Sequence, residues 1–303
     1  MRIVFVGTVE GSKVAFDAIA RAGFVPNLVV TLPPEVAHRH SDFVDLSGPA
    51  RDAGSRVFYA KDINAPETLD AIGAEAPDLC LVIGWSQICR QPFREIARLG
   101  NIGFHPAALP RLRGRAVIPW TILTGQRETG STLFWLDEGV DSGAILLQKR
   151  FPVAPDETAR TLHAKHVGAL ELMLPEALSL VEAGTAPRVL QDHEQATYCA
   201  KRTADDGLID WRSPAADILR LIRACGDPYP GAFTYQGGEK LAIAHAVGLP
   251  ASDRFIGLIG QVQCFTDEGF AVRCGDGQCI DVQSWQWRPG GLPKMHSKFD
   301  NAG

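Results

Sequence analysis

Residues 2–32 read RIVFVGTVEGSKVAFDAIARAGFVPNLVVTL, and this stretch decides the fold. An apolar run, RIVFV, stops at Gly7. From Ser12 to Ala22 the apolar residues Val14, Ala15, Ile19 and Ala20 recur with the period of one helix face. A second apolar run, PNLVVTL, follows at 26–32. Strand, turn, helix and strand in that order predict the start of a parallel α/β sheet. Further on, APDLCLVIG at 76–84 is apolar without alternation, as suits a strand covered on both faces. Short helices are expected over 48–54, 65–76 and 92–99, with strands at RVFYA and NIGFH. The fold class is therefore α/β, a Rossmann-like doubly wound parallel sheet. The first strand–helix turn, GTVEGS, carries two glycines but is not GxGxxG. It either receives a phosphate at a helix N-terminus or is a turn and nothing more.

Working outward, 303 residues suffice for two domains. The 46% hydrophobic and 21% charged content is ordinary for a globular chain. No apolar run approaches the roughly 20 residues needed to cross a bilayer, and MRIVFVG leads into a strand instead of a signal peptide. A cytoplasmic protein is expected. The formal net charge of −5 argues against a chain devoted to gripping nucleic acid. Seven cysteines are scattered without CxxC, which favours buried thiols over a metal site.

After Gln148, Asp156 and Thr158 are placed to cap a helix running from about Ala159 to Gly184. His163 and His166 lie on it, without acidic or thiol partners at ligand spacing. The texture changes around 185–207. Beyond it, KLAIAHAV, GLIGQVQCF, GFAVRC and QCIDVQSW are short runs punctuated by glycine, the rhythm of a small β-barrel. Two domains, 1–200 and an OB-like barrel over 201–303, are expected, with the last ten residues a frayed tail.

Chemistry concentrates between Asn101 and Gln148. His105 ends a strand and precedes Pro106, at the sheet edge where open α/β folds bind ligands. It can move a proton near neutral pH or donate to a developing oxyanion. Asp141 lies in GVDSG between the runs STLFWL and AILLQ, and a carboxylate beside an imidazole orients it. Asp137 and Glu138 read as turn residues. Arg111, Arg113 and Arg115 recur at every second position, which on an extended loop makes either an anion-binding comb or a solvated surface.

HPxxLPxxRGR at 105–115 and LDEGVDSGAILLQ at 136–148 resemble the histidine and aspartate loops of the 10-formyltetrahydrofolate-dependent formyltransferases. The 36-residue interval between His105 and Asp141 is also that of the family. KRTADDGLIDWRSPAADILRLIRACGDPYPGAF, from Lys201, resembles the accessory domain of methionyl-tRNA and some nucleotide-sugar formyltransferases. The resemblance implies formyl transfer to an amine, with 10-formyltetrahydrofolate as donor and no metal. On that template His105 stabilises the oxyanion and helps move the proton, and Asp141 orients His105 and accepts from the attacking nitrogen. Gly84, Trp85, Ser86, Gln87 and Ile88, with Gly139 and Val140, match the segments that hold the pterin. Thr8, Arg113 and Arg115 are the candidates for substrate binding. One departure stands out: the family's asparagine two residues before the histidine is Gly103 here. Asn101, two further back on the same strand face, is the candidate to replace it through a bulge.

The acceptor expected from sequence is the amine of a nucleotide-linked amino sugar destined for a surface glycan. The acidic balance, the absence of a basic insertion in PPEVAHRHSDFVDLSG at 33–48 and the RLRGRAVIPW segment favour it. Methionyl-tRNA is the alternative, although tRNA calls for a basic track. A non-catalytic folate- or nucleotide-binding relative is the reading from another class. The chain is compatible with a homodimer.

Overall fold

The computed structural model describes residues 1–39 and 42–300, without the side chains of His38 and Arg39. The chain divides into two compact units. The first takes in Met1–Val117, Glu128–Pro152 and His163–Ala200, and the second Ile118–Arg127, Val153–Leu162 and the chain from Lys201.

The first unit is built on one sheet. Its elements are β1 (Ile3–Val6), α1 (Glu10–Arg21), β2 (Leu28–Thr31), α2 (Ser47–Asp52), β3 (Arg56–Tyr59), α3 (Pro66–Ala74), β4 (Leu79–Val82), α4 (Gln91–Arg94) and β5 (Asn101–His105). Then come β6 (Arg113–Gly114), β7 (Glu128–Trp135), β8 (Ile145–Pro152), most of α6 (Ala159–Glu182) and β9 (Tyr198–Cys199), while α5 (Val117–Leu123) falls almost wholly in the second unit. The seven-stranded order is β3-β2-β1-β4-β5-β7-β8. The strands from β3 to β5 are parallel, while β7 and β8 are antiparallel additions at one edge. The order reverses between β1 and β4, and their carboxyl ends open where such sheets hold ligands.

Both faces are covered, which is why the parallel strands are apolar without alternation. One face packs Ile3, Phe5, Leu81 and Ile102 against Leu170, Leu174, Ala177 and Leu178 of α6. The other packs Val4, Val6, Cys80 and Val82 with Ile63, Ile72 and Phe93. The helix expected over 92–99 is only the short α4. Beyond it, the Arg98 and Leu99 amides donate to the carbonyls of Pro77 and Asp78 instead of continuing a helix.

The second unit contains α7 (Ala215–Cys225) and an antiparallel sheet of β10 (Ala232–Gln236), β11 (Glu239–Gly248), β12 (Val262–Phe265), β13 (Phe270–Arg273) and β14 (Cys279–Trp287), in the order β10-β11-β14-β13-β12. The tail expectation is corrected here. Ser297–Asp300 closes the sheet into a barrel: Val262 N donates to Ser297 O, Phe299 N to Gly260 O, and Tyr235 and Asp300 exchange both backbone bonds. Phe299 is buried and stacks on Trp211 with ring centroids 5.6 Å apart. A strand edge that pairs with two others cannot fray. Residues 301–303 of that expected tail lie outside the described residues, as do His40 and Ser41 of the segment read for a missing basic insertion.

Candidate active site

His105 is the last residue of β5 and pairs with Thr132 of β7. Its ring is almost wholly buried, so both nitrogens need partners. Nε2 lies 2.7 Å from the Leu112 carbonyl, which can only accept, so Nε2 carries a hydrogen. Nδ1 faces Asp141 Oδ2 at 3.4 Å. Asp141 Oδ2 also accepts from Gly114 N at 2.8 Å. Both contacts fall on Oδ2, which leaves Oδ1 to take a proton from an incoming amine.

The loop bearing Asp141 leaves β7 beside the start of β5, where Leu136 N donates to Asn101 O. To bring Asp141 to the other end of β5 it must fold back along the sheet. Its backbone shows how. Asp141 adopts a left-handed conformation, φ 51°, which a non-glycine residue holds only where its surroundings enforce it. A Cβ at Gly143 would lie 1.7 Å from the Trp135 carbonyl oxygen, so only glycine lets the loop return so closely to β7. Asp137 Oδ1 accepts from Gly139 N at 3.1 Å and Ser142 Oγ at 2.7 Å, closing the turn as expected of a turn residue.

The opposite wall is Leu112–Arg113–Gly114. Residue 112 receives the histidine proton and residue 114 donates to the aspartate. Arg113 between them is turned inward and buried, with Nη2 2.7 Å from Gln191 Oε1 and Nη1 3.2 Å from Tyr198 Oη. The arginine comb is thereby corrected: Arg111 and Arg115 are exposed and Arg113 is not. Strict alternation fails because Leu112, Gly114 and Ala116 all have positive φ (57°, 104° and 53°). Arg113 therefore holds the site together and is not open to a substrate anion.

Thr8 is corrected too. It is completely buried, and the turn's anion-binding groups are spent within the fold. Ser12 Oγ accepts from the Thr8 and Val9 amides, each at 3.1 Å, and donates to Ile83 O at 2.6 Å. The GTVEGS turn is thus a staple between β1 and β4, the bland alternative of its two readings.

Asn101 does not substitute for the family asparagine. β5 pairs regularly with β4 over residues 101 to 103 and with β7 over 102 to 105, with no bulge to advance Asn101. Its Nδ2 donates to Arg94 O at 2.8 Å, at the far end of the strand from His105. The space beside Gly103 is already filled. A Cβ there would lie 2.7 Å from Leu136 Cδ2 and 3.1 Å from two ring carbons of Phe134. Leu136 follows β7 and still donates its amide to Asn101 O alongside β5, and its side chain occupies the volume a larger residue at 103 would need.

Of the two loops matched to the pterin, 84–88 is stapled by its own side chains. Gln87 Oε1 accepts from Ile63 N at 2.8 Å, and Gln87 Nε2 donates to Lys61 O at 2.8 Å. Asn64 Nδ2 reaches Ile88 O at 3.0 Å. The Gln87 amide is therefore occupied within the protein, while Ile88 and Val140 project apolar side chains into solvent, 63% and 45% exposed.

His163 and His166 do not form a pair. His163 Nε2 faces Asp42 at 3.9 Å, whereas His166 Nδ1 meets Ser131 Oγ at 2.9 Å. Burial, reinforced by His105, pushes the His166 imidazole down to about 3. Among the described residues, no three His, Cys, Asp or Glu side chains converge. Burial raises the Cys89 and Cys274 thiols to about 12, as expected of inert core cysteines. Among the described residues no helix is long and apolar enough to cross a membrane.

Sequence reading missed Gln191 and Ser12. Both bond to residues tens of positions away, Ser12 to Ile83 and Gln191 to Arg113, and Gln191 belongs to no periodic or motif-like segment. Ser12, one residue after Gly11 at the head of a helix, gave the stronger signal.

A buried histidine facing a half-buried carboxylate at the carboxyl edge of a Rossmann-like sheet is an arrangement that can handle a proton. Residues 1–178 match the Formyl transferase family model, and residues 201–297 match that of the Formyl transferase C-terminal domain. The chain belongs to the formyl transferase family. It is 36% identical to the methionyl-tRNA formyltransferase of Symbiobacterium thermophilum, over 100% of this chain and 93% of that one. Two solved structures share the fold at 19% identity. The N-formyltransferase of Helicobacter canadensis, in complex with folinic acid and dTDP-3-aminofucose, has a TM-score of 0.66 over 93% of this chain and 99% of its own. HypX of Aquifex aeolicus, in complex with tetrahydrofolic acid, has a TM-score of 0.66 over 95% of this chain, which spans only 44% of HypX.

These relatives correct the expected acceptor and partner. Full-length identity runs to methionyl-tRNA formyltransferases, at 36%, 34% and 36% for three of them, whereas likeness to the sugar enzyme is one of fold. The nucleotide-sugar acceptor, the glycan role and the exclusion of nucleic acid are withdrawn. The arguments for them were weak for a physical reason. A net charge of −5 is a sum over the whole chain and says nothing of one face. The RLRGR arginines that suggested a diphosphate are not a comb.

Proposed function

We propose that this protein transfers the formyl group of 10-formyltetrahydrofolate to the α-amine of methionine carried on tRNA. Full-length identity to methionyl-tRNA formyltransferases supports the acceptor. The observation that carries the chemistry is Asp141, held by His105 and Gly114 through Oδ2 alone.

In this reading the amine attacks the formyl carbon and a C–N bond forms. The charged carboxylate keeps the His105 ring in place until the attack, and the amine proton then passes to Asp141 Oδ1. The C–N10 bond then breaks, and the proton held by the His105–Asp141 pair goes to N10, leaving tetrahydrofolate. Loops 84–88 and 139–140 take the pterin through backbone groups, with Ile88 and Val140 as apolar surfaces for the ring. The exposed Arg111 and Arg115 are the cations available for phosphate on the acceptor side. Residues 201–303 are the accessory domain of this enzyme, separated near residue 200, and the reaction belongs to the cytoplasm.

The test is direct. Purified protein with 10-formyltetrahydrofolate and methionyl-tRNA is expected to form formylmethionyl-tRNA and tetrahydrofolate in equal amounts. No formylated tRNA would overturn the reading.

A further inference from the structure

We propose that Gln191 is a positioning residue for formyl transfer, through which the two loops of the catalytic pair are locked to one another; this rests on the roles given above to His105 and Asp141. Gln191 is buried and makes four hydrogen bonds. Its Oε1 accepts from Arg113 Nε at 3.2 Å and Nη2 at 2.7 Å. Its Nε2 donates to Asp141 O at 2.9 Å and Gly143 O at 2.7 Å.

The position of these bonds matters more than their number. Arg113 lies between Leu112, whose carbonyl receives the His105 proton, and Gly114, whose amide holds Asp141 Oδ2. Gln191 thus joins the backbone of Asp141 to the one residue flanked by both anchors of the pair. The Asp141 backbone is left-handed, so its carbonyl needs a fixed donor to keep the carboxylate aimed at His105. Only a primary amide meets both demands. It accepts from a buried guanidinium at one end and offers two hydrogens to two carbonyls at the other. A carboxylate satisfies Arg113 but cannot donate to the carbonyls, and a thioether satisfies neither.

That asymmetry separates positioning from mere structural support. Gln191→Glu retains and strengthens the acceptor for Arg113, so its melting temperature is expected to stay near that of the wild type. Gln191→Met removes two hydrogen bonds from the buried Arg113 guanidinium and is expected to melt lower. Both lose the donor to the aspartate loop, and a displacement of order 1 Å at a reacting group lowers turnover about 10²-fold. The expected result is a kcat reduced about 10²-fold in both variants with KM for the folate unchanged, although only Q191M loses stability. Wild-type kcat in either variant, or a loss of kcat that follows melting temperature, would overturn the proposal. The ¹⁵N signals of the His105 ring need no acceptor substrate and report it separately. They should shift in both variants, and unchanged signals would also overturn it. Failure of the wild type to formylate methionyl-tRNA would instead overturn the proposed function.

Discussion

Replacing Gly103 with asparagine would restore the side chain that the family carries two residues before its histidine, and the structure says what this does. The new Cβ would sit 2.7 Å from Leu136 Cδ2 and 3.1 Å from Phe134 Cε1 and Cζ. Contacts this short force Leu136 or the aspartate loop to move, and overpacking of this kind typically destabilises by about 1–3 kcal/mol. Removing a strand glycine returns about 0.5–1 kcal/mol through the unfolded chain. The net expectation for Gly103→Asn is a loss of roughly 0–2.5 kcal/mol. Within a unit of this size that lowers the melting temperature by up to about 10 °C, at 2–4 °C per kcal/mol. Because Leu136 also begins the loop that delivers Asp141, kcat should fall as well. Leu136→Ala makes room for the new side chain, so the double variant should be more stable than the two single losses added together, by about 1 kcal/mol. The assay is thermal melting of the four proteins alongside their kcat. Single losses that simply add would refute the idea that Leu136 has taken the asparagine's space.

Two further perturbations address the site and its support. Asp141→Asn keeps an oxygen for Gly114 but removes the charge 3.4 Å from His105. The expected outcome is a kcat about 10³-fold lower with folate affinity unchanged, and full activity would remove Asp141 from the chemistry. For His166, the folded value of about 3 lies below the ordinary 6.5 of the unfolded chain. The unfolded state therefore binds the extra proton as pH falls. The stabilisation is complete above about 6.5 and is lost towards 3, at roughly 1.4 kcal/mol per pH unit. His166→Asn should flatten the pH dependence of unfolding in that window, and an unaltered slope in chemical denaturation would assign the acid sensitivity to another group.

β1, β2 and β4 were legible because each is a short apolar run with no alternation, ended by glycine or proline, and burial on both faces leaves that mark. His105 and Asp141 were legible because distinctive loops frame them. The antiparallel β7 and β8 read as strands, but nothing in their own residues told their direction. What stayed hidden depends on distant pairing. Gln191 bonds residues 48 to 78 positions away, so no local pattern singles it out. Ser297–Asp300 close the barrel, yet alone they read as the end of a chain. The arginine comb failed on the left-handed backbones of Leu112 and Ala116, which their identities do not announce. Gly103 was recognised as a departure, but the Leu136 and Phe134 side chains that fill the space beside it meet it only in three dimensions.

The account stands most directly on one measurement: the initial rate of formylmethionyl-tRNA formation from 10-formyltetrahydrofolate by the purified wild-type protein. Release of tetrahydrofolate is followed in the same reaction, with dTDP-3-aminofucose in a parallel one. The account predicts formylated methionyl-tRNA matched mole for mole by tetrahydrofolate, and no product with the sugar. Tetrahydrofolate formed without formylated tRNA, or formyl found on the sugar alone, would contradict it.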